Sequence, residues 1–171
     1  RLKDDRIALP VLLGPRVEID AAAVRAGVSL DGLATLDPQD SPRIEAYAAL
    51  YAASRPDVNP KITARLVRKP LFHAGMMVKA QDADAMIAGV AHPTGRVIEA
   101  GLMTVGLAAG MRMPSSFFLM VVPGLNGAPG RNFIYADCAV NVDPDAETLA
   151  DIALASADTC RALLHEEPRV A

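Results

Sequence analysis

The sequence predicts an α/β fold with three layers, in which helices cover both faces of a mostly parallel sheet. Short apolar runs alternate with longer helical patterns along the chain, and this alternation is typical of such sheets. The run at 84–90 has small residues on both sides, as expected of a strand inside a parallel sheet. Hydrophobic residues make up 51% of the 171 residues and aromatic ones only 4%, which favours helices packed through small side chains.

Each element follows from a local signal. In chain order, we expect a strand at 7–14, a short helix between Asp20 and Gly27, a strand at 34–37, helices that begin at Pro42 and Pro60, a helix at 70–83, a strand at 84–90, a helix at 97–110, strands at 115–123 and 133–140, a helix from Pro144 to about residue 165, and a final strand at the chain end. Ser41, Asn59 and Asp143 each precede a proline, so they are the expected helix N-caps.

A change of pattern after Gly110 predicts a domain junction. The helix predicted at 97–110 ends in this glycine, and a new sheet element follows Pro114. We therefore expect a first αβα domain at 1–110 and the beginning of a second αβα domain at 111–171. Because the chain closes on a fresh strand, we also expect further sequence to complete the second domain.

Composition excludes several classes of function. The net charge is −3 without a long basic run, so neither a nucleic acid nor an anionic membrane is an expected partner. The apolar stretches are too short for a transmembrane helix, and no export signal is visible. The two cysteines, Cys138 and Cys160, are expected to be buried, reduced thiols in a cytoplasmic protein, and the alternative is a disulfide between them. Three histidines without ligand-like spacing, His73, His92 and His165, predict no metal site, and His73 is expected to be a core residue.

The stretch at 88–101, AGVAHPTGRVIEAG, is the first candidate site. It joins a predicted strand to a predicted helix, which is where parallel α/β proteins place ligands and where helix amide groups favour an anion. His92, Thr94, Gly95 and Arg96 are the candidate binding residues. The alternative is that Thr94 only caps the helix and Arg96 only pairs with Glu99.

The stretch after the strand at 133–140 is the second candidate. Asp137 lies at the carboxyl end of that strand, and Asn141 lies in the turn before a capped helix. Both side chains could meet a substrate there. The alternative, which the residues alone favour, is that they hold the turn through bonds to the backbone.

Three blocks of sequence resemble one family in both order and spacing. They are PLFHAGMMVKAQDADAMIAGVAH, SSFFLMVVP and YADCAVNVDPDAETLADIALASA. They resemble the phosphate acetyltransferases, a group that includes phosphate butyryltransferases. The resemblance implies a two-domain, isocitrate-dehydrogenase-like αβα protein and a homodimer. It also implies transfer of an acetyl or similar short acyl group between coenzyme A and phosphate, with an acyl phosphate formed. Coenzyme A and acetyl-CoA are then substrates, and no metal or other cofactor is expected.

The resemblance also implies a mechanism and its residues. In the direction that forms acyl-CoA, a carboxylate deprotonates the coenzyme A thiol, the thiolate attacks the carbonyl carbon of the acyl phosphate and phosphate leaves, while arginines and a hydroxyl stabilise oxyanion charge. The family's catalytic Ser-Arg and Asp lie beyond Ala171, so we expect these 171 residues alone to be inactive. Arg55 is the best counterpart of one cleft arginine. The position of the other cleft arginine is occupied here by Glu99, and Arg96 lies three residues before it.

Three hypotheses remain at this point. The leading one is a phosphate acyltransferase, or the amino-terminal portion of one. The displaced arginine favours a second, a non-catalytic module that senses acyl-CoA within a larger enzyme. The third is a purely structural dimerisation domain without affinity for coenzyme A. The sequence does not give the length of the acyl chain.

Overall fold

The computed structural model describes residues 2–55, 58–124, 126–127 and 129–171. It divides the chain into two units, Arg1–Gly106 and Leu107–Ala171. The first unit holds β1 (Val11–Leu13), α1 (Arg16–Ala26), β2 (Ala34–Leu36), α2 (Ile44–Ala53), α3 (Pro60–Leu66), α4 (Pro70–Lys79) and α5 (Thr94–Thr104). The second holds β3 (Phe117–Val122), β4 (Arg131–Ala136) and α6 (Ala146–Leu164). This mixture of helices and strands confirms the predicted α/β class.

The sheets are smaller than the predicted one. In the described residues, β1 pairs with β2 in parallel, and β3 pairs with β4 in antiparallel register, with Phe117 opposite Ala136. The predicted strands at 84–90 and at the chain end are wrong, because neither segment forms a ladder. An apolar run becomes a strand only when a neighbour takes up its backbone hydrogen bonds, and residues 84–90 instead leave Ile87 97% exposed.

Helix ends follow the local signals where those signals are complete. The Asn59 side chain accepts a hydrogen bond from the Lys61 N–H at 2.9 Å, which confirms it as the α3 cap. The α6 cap is Asp145 and not Asp143, since the Asp145 carboxylate accepts from the Thr148 N–H at 2.8 Å. Likewise, α2 begins at Ile44, two residues after the predicted start at Pro42.

The core of the first unit lies between α2 and α4. Its buried members come from α2, from α4 and from the end of α3, and they are Ile44, Tyr47, Tyr51, Val67, Met76 and Met77. Burial of each large apolar side chain contributes about 1.5–3 kcal/mol, so this cluster is the main source of stability in the unit. His73 is fully buried beside it, as predicted, and its ring meets the Tyr47 ring edge-on at 5.0 Å.

A polar network covers one side of this core. The Tyr47 hydroxyl donates to the Asp82 carboxylate at 2.6 Å, and Arg43 donates to the same oxygen at 2.9 and 3.1 Å. Burial, together with the bond to Asp82, raises the pKa of Tyr47 to about 12. The bond from Tyr47 in turn helps hold the pKa of Asp82 below its usual range. The network therefore joins α2 to the turn that follows α4.

The second unit has one helix over a hairpin. Arg112, in the segment before β3, donates to Asp151 at 3.0 Å and to Glu147, so this segment is tied to the first turns of α6. Both faces of the hairpin keep large exposed side chains, including the neighbours Phe117 and Phe118 on β3. Among the described residues, no helix of either unit is long and apolar enough to cross a membrane.

Replacement of Tyr47 by Phe tests the network. We expect the free energy of unfolding at pH 7 to fall by about 1 kcal/mol, because one hydrogen bond to a carboxylate is lost. The difference from the wild type should narrow as the pH falls from about 4, the ordinary pKa of an aspartate, through the lowered pKa of Asp82 in the folded protein, since the carboxylate stabilises the fold only while it is ionised. Urea denaturation at several pH values measures both effects.

Tyr135→Phe is the matched control, because this tyrosine is 60% exposed on β4. Equal losses of stability in the two variants would contradict a specific role for the Tyr47 hydroxyl.

Candidate functional site

The first candidate site lies at the start of α5. Helix α5 begins at Thr94, and Pro93 occupies the cap position without a side-chain hydrogen bond. The alternative that Thr94 caps the helix is therefore wrong, because Thr94 is the first helical residue. His92, Gly95 and Arg96 are exposed beside it. The first amide groups of a helix have no partner within it, so this end can face an anion.

The Arg96 side chain pairs with an acidic side chain at this end of the helix. Its guanidinium donates to the Glu99 carboxylate at 2.7 Å, and the two side chains are 70% and 44% exposed. The pairing that the sequence offered as an alternative is thus present. An exposed pair at this spacing contributes only about 0.2–0.5 kcal/mol, so an incoming anion can replace Glu99 at little cost.

Arg55 contacts the opposite end of the same helix. Its guanidinium donates to the Leu102 carbonyl oxygen at 3.4 Å and lies over the Tyr51 ring at 5.7 Å. Leu102 is six residues beyond Arg96, which is about 9 Å along a helix axis. The structure therefore places Arg55 at the carboxyl-terminal part of α5 and the 92–96 group at its amino terminus.

The second candidate site is a turn built around the Asp137 carboxylate. Asp137 follows β4, and Ser116 precedes β3, so the antiparallel pairing brings them together. The carboxylate accepts from the N–H groups of Ser116 at 3.1 Å, Ala139 at 3.2 Å and Asn141 at 2.6 Å. The Ser116 hydroxyl also donates to it. This arrangement is the turn-holding alternative that the sequence favoured.

Hydrogen bonding decides the charge of Asp137. Burial opposes its ionised form, but the bonds from Ser116, Asn141 and Ala139 outweigh burial and hold its pKa far below the usual range. Asn141 completes the turn, because its side-chain amide donates to Asp137 at 2.6 Å and to the Pro114 carbonyl oxygen at 2.9 Å. Asp137 is consequently a fixed negative charge at neutral pH.

Sequence reasoning missed Ser116. Its hydroxyl accepts from the Ala139 N–H at 2.8 Å and from the Cys138 N–H at 3.3 Å while it donates to Asp137. A serine directly before a strand is a weak local signal. Antiparallel pairing of the strands at 117–122 and 131–136 would have placed it opposite Asp137.

The candidate residues fall into two groups. Arg55, His92, Thr94, Gly95 and Arg96 belong to the first unit, and Asp137 and Asn141 to the second. Both cysteines are free, as predicted, but the prediction that they are buried is wrong, because each is partly exposed. Within the described part of the chain, no three histidine, cysteine or acidic side chains come together in a way that could hold a metal ion.

Comparison with known proteins gives a consistent set of relatives. The chain is 38% identical over 164 residues to a phosphate acetyltransferase of Treponema pallidum, with 94% of this chain and 48% of that protein covered. It is 34% identical over 163 residues to the phosphate acetyltransferase of Clostridium acetobutylicum, with 94% and 49% covered. The chain thus spans about half the length of the relatives it matches.

The fold agrees with these relatives. A crystal structure of a phosphotransacetylase from Streptococcus pyogenes superposes with a TM-score of 0.80 at 24% identity, over 94% of this chain and 48% of that one. The family model described as phosphate acetyl/butaryl transferase matches residues 1–171. The resemblance of the three sequence blocks is therefore confirmed, and the chain belongs to the phosphate acetyl/butaryl transferase family.

Proposed function

We propose that the protein transfers an acetyl or similar short acyl group between coenzyme A and inorganic phosphate. One observation carries the proposal, the match of the family model across all 171 residues. The proposed substrates are acyl-CoA, phosphate and acyl phosphate, and coenzyme A acts as substrate and not as a bound cofactor. The accessible guanidinium at the start of α5 supports the phosphate part of this proposal.

The proposed site residues differ in how directly they can act. Arg96, with His92, Thr94 and Gly95, is proposed to bind phosphate or the acyl phosphate at the start of α5. Arg55 is proposed to support that helix from its other end, since it already bonds to the Leu102 carbonyl oxygen. Asp137 and Asn141 are proposed to shape the substrate side of their turn. The catalytic Ser-Arg and Asp of the family are expected outside residues 1–171.

Family membership also supports a proposed architecture. We propose a three-layer, isocitrate-dehydrogenase-like protein of two αβα domains, with 1–110 in the first and 111–171 in the second. We further propose a cytoplasmic homodimer without nucleic-acid partners. Free thiols and a net charge of −3 support the location and the absence of a nucleic acid.

A second function is favoured by a specific observation. The Glu99 carboxylate already forms an ion pair with the Arg96 guanidinium. If that pair persists in the complete protein, the chain would bind acyl-CoA without transferring the acyl group to phosphate. The two functions are separated by assay of the full-length protein for acetyl-CoA consumption that depends on phosphate or arsenate. Turnover supports the transferase, whereas acetyl-CoA binding by calorimetry without turnover supports a sensor.

Two substitutions in the ion pair, which are expected to change the KM for phosphate in opposite directions, test the role of Arg96. Arg96→Ala should raise the KM for phosphate about tenfold or more, because a charge-assisted hydrogen bond contributes about 1.5–3 kcal/mol. Glu99→Gln should lower the same KM by about twofold, because the competing carboxylate is removed. Steady-state kinetics of the full-length protein at varied phosphate concentrations provide the measurement.

The matched control is Arg16→Ala. Arg16 forms a similar exposed pair with Asp20 at 2.8 Å at the start of α1. Its replacement should leave the KM for phosphate unchanged. An unchanged KM in the Arg96 and Glu99 variants as well would show that Arg96 is a surface charge.

Replacement of Asp137 by Asn tests whether its charge organises the second unit. An amide cannot accept all the hydrogen bonds that the carboxylate takes, so we expect a loss of about 2–4 kcal/mol in the free energy of unfolding at pH 7. Since the folded pKa is lowered, the wild-type advantage is present above about pH 4 and disappears as the pH falls through the folded value. Denaturant titrations at pH 7 and in acid measure this difference.

Asp158→Asn serves as the control, because the Asp158 side chain is 82% exposed beside Arg161 on α6. If both substitutions had the same small effect, the turn would not depend on Asp137.

A further inference from the structure

We propose that Gly75 is a positioning residue whose contact with Thr104 sets where the first turn of α5, and with it Arg96, lies. The inference rests on the proposed function, because it concerns the arginine proposed to bind phosphate. Gly75 is buried on α4, and Thr104 is the last residue of α5. The two helices pack against each other at this point.

The contact leaves no space for a side chain at position 75. A Cβ atom built there would overlap the Thr104 Oγ1 and would lie 2.9 Å from the Thr104 Cβ and 3.2 Å from its Cγ2. A change of rotamer could move the hydroxyl, but the Thr104 Cβ is fixed by the helix backbone, so the overlap with the Cβ remains. Carbon atoms prefer separations of about 3.5–4.0 Å, so an alanine would push the helices apart by about 1 Å.

Thr104 is itself held in place. It is 5% exposed, and its hydroxyl donates to the Ala100 carbonyl oxygen at 2.7 Å. Ala100 is fully buried on the same helix face. The threonine therefore transmits a push from α4 to the backbone of α5 and does not absorb it.

The other described ties between α5 and its neighbours lie at the same end. Arg55 donates to the Leu102 carbonyl oxygen, and Lys79 donates to the Val105 carbonyl oxygen, each at 3.4 Å. By contrast, Thr94, Gly95 and Arg96 are exposed. The first turn is about 15 Å from Thr104 along the helix axis, so its position depends on how the last turn is seated.

Such a displacement matters for a bound anion. Misplacement of a binding group by about 1 Å can reduce catalysis by about 100-fold. A shift that begins at Gly75 would move the Arg96 guanidinium away from the phosphate without any contact between Gly75 and the substrate. Gly75 would thus act through Arg96.

Kinetics of the full-length protein test the proposal. We expect Gly75→Ala to raise the KM for phosphate at least about fivefold. The double variant Gly75→Ala with Thr104→Gly moves the glycine from α4 to α5. Its KM for phosphate should lie within about twofold of the wild-type value. The control is Gly101→Ala, because a Cβ at this α5 position meets no atom within 4 Å. It should leave the KM unchanged.

The decisive comparison places Gly75→Ala in an Arg96→Ala background. If Gly75 acts through Arg96, the second substitution adds no further change to the KM for phosphate. The same fold-change in both backgrounds would make Gly75 a structural residue only and would overturn the proposal. If Gly75→Ala fails to fold, the exchanged pair carries the test, and a raised KM in that pair overturns it. Absence of phosphate-dependent turnover in the wild type instead rejects the proposed function.

Discussion

The second unit depends on one carboxylate, that of Asp137. Among the described residues of this unit, Ile152 is the one buried hydrophobic side chain, so apolar burial alone gives the hairpin and α6 little support. Asp137 instead collects donors from residues 116, 139 and 141, and Asn141 extends the turn to Pro114. A charged acceptor shared by several amides is among the stronger polar interactions in proteins. It fixes the start of β3, the end of β4 and the approach to α6 together.

The first unit also contains a carboxylate that accepts several hydrogen bonds, but there it lies beside a hydrophobic core. There Asp82 accepts from Tyr47 and Arg43, but Tyr47 also belongs to a core with five other buried side chains. The network therefore adds to hydrophobic packing and does not replace it. Both carboxylates join segments that are distant in sequence, 35 residues apart for Tyr47 and Asp82 and 21 for Ser116 and Asp137. No local pattern reveals such partners, which is why Ser116 and Asp82 escaped prediction.

Features that depend on nearby residues could be predicted from the sequence, whereas features that depend on distant partners could not. The Asn59 cap and the end of α1 at Gly27, which adopts a φ of +64°, depend on residues within one turn, and both were read correctly. The strand at 84–90 needed a neighbouring strand that its own residues do not specify, and it is absent. The α/β class and the family resemblance are confirmed, because each depends on many positions along the chain. The state of Arg96 depends on its pairing with Glu99, and spacing alone left that pairing as one of two alternatives.

The pairing of Arg96 with Glu99 also concerns the proposed binding of phosphate. The resemblance places an arginine at position 99, where this chain has a glutamate. Residues 96 and 99 are three apart on α5, so their side chains share one helix face. Moving the positive charge from 99 to 96 keeps it on that face. It also brings the charge about 4.5 Å closer to the helix amino terminus, where unpaired amides and the helix dipole attract anions. If Arg96 binds phosphate as proposed, Glu99 would compete with the anion for the same guanidinium. The proposed site would then keep its position on the helix face, and the pairing with Glu99 would weaken it.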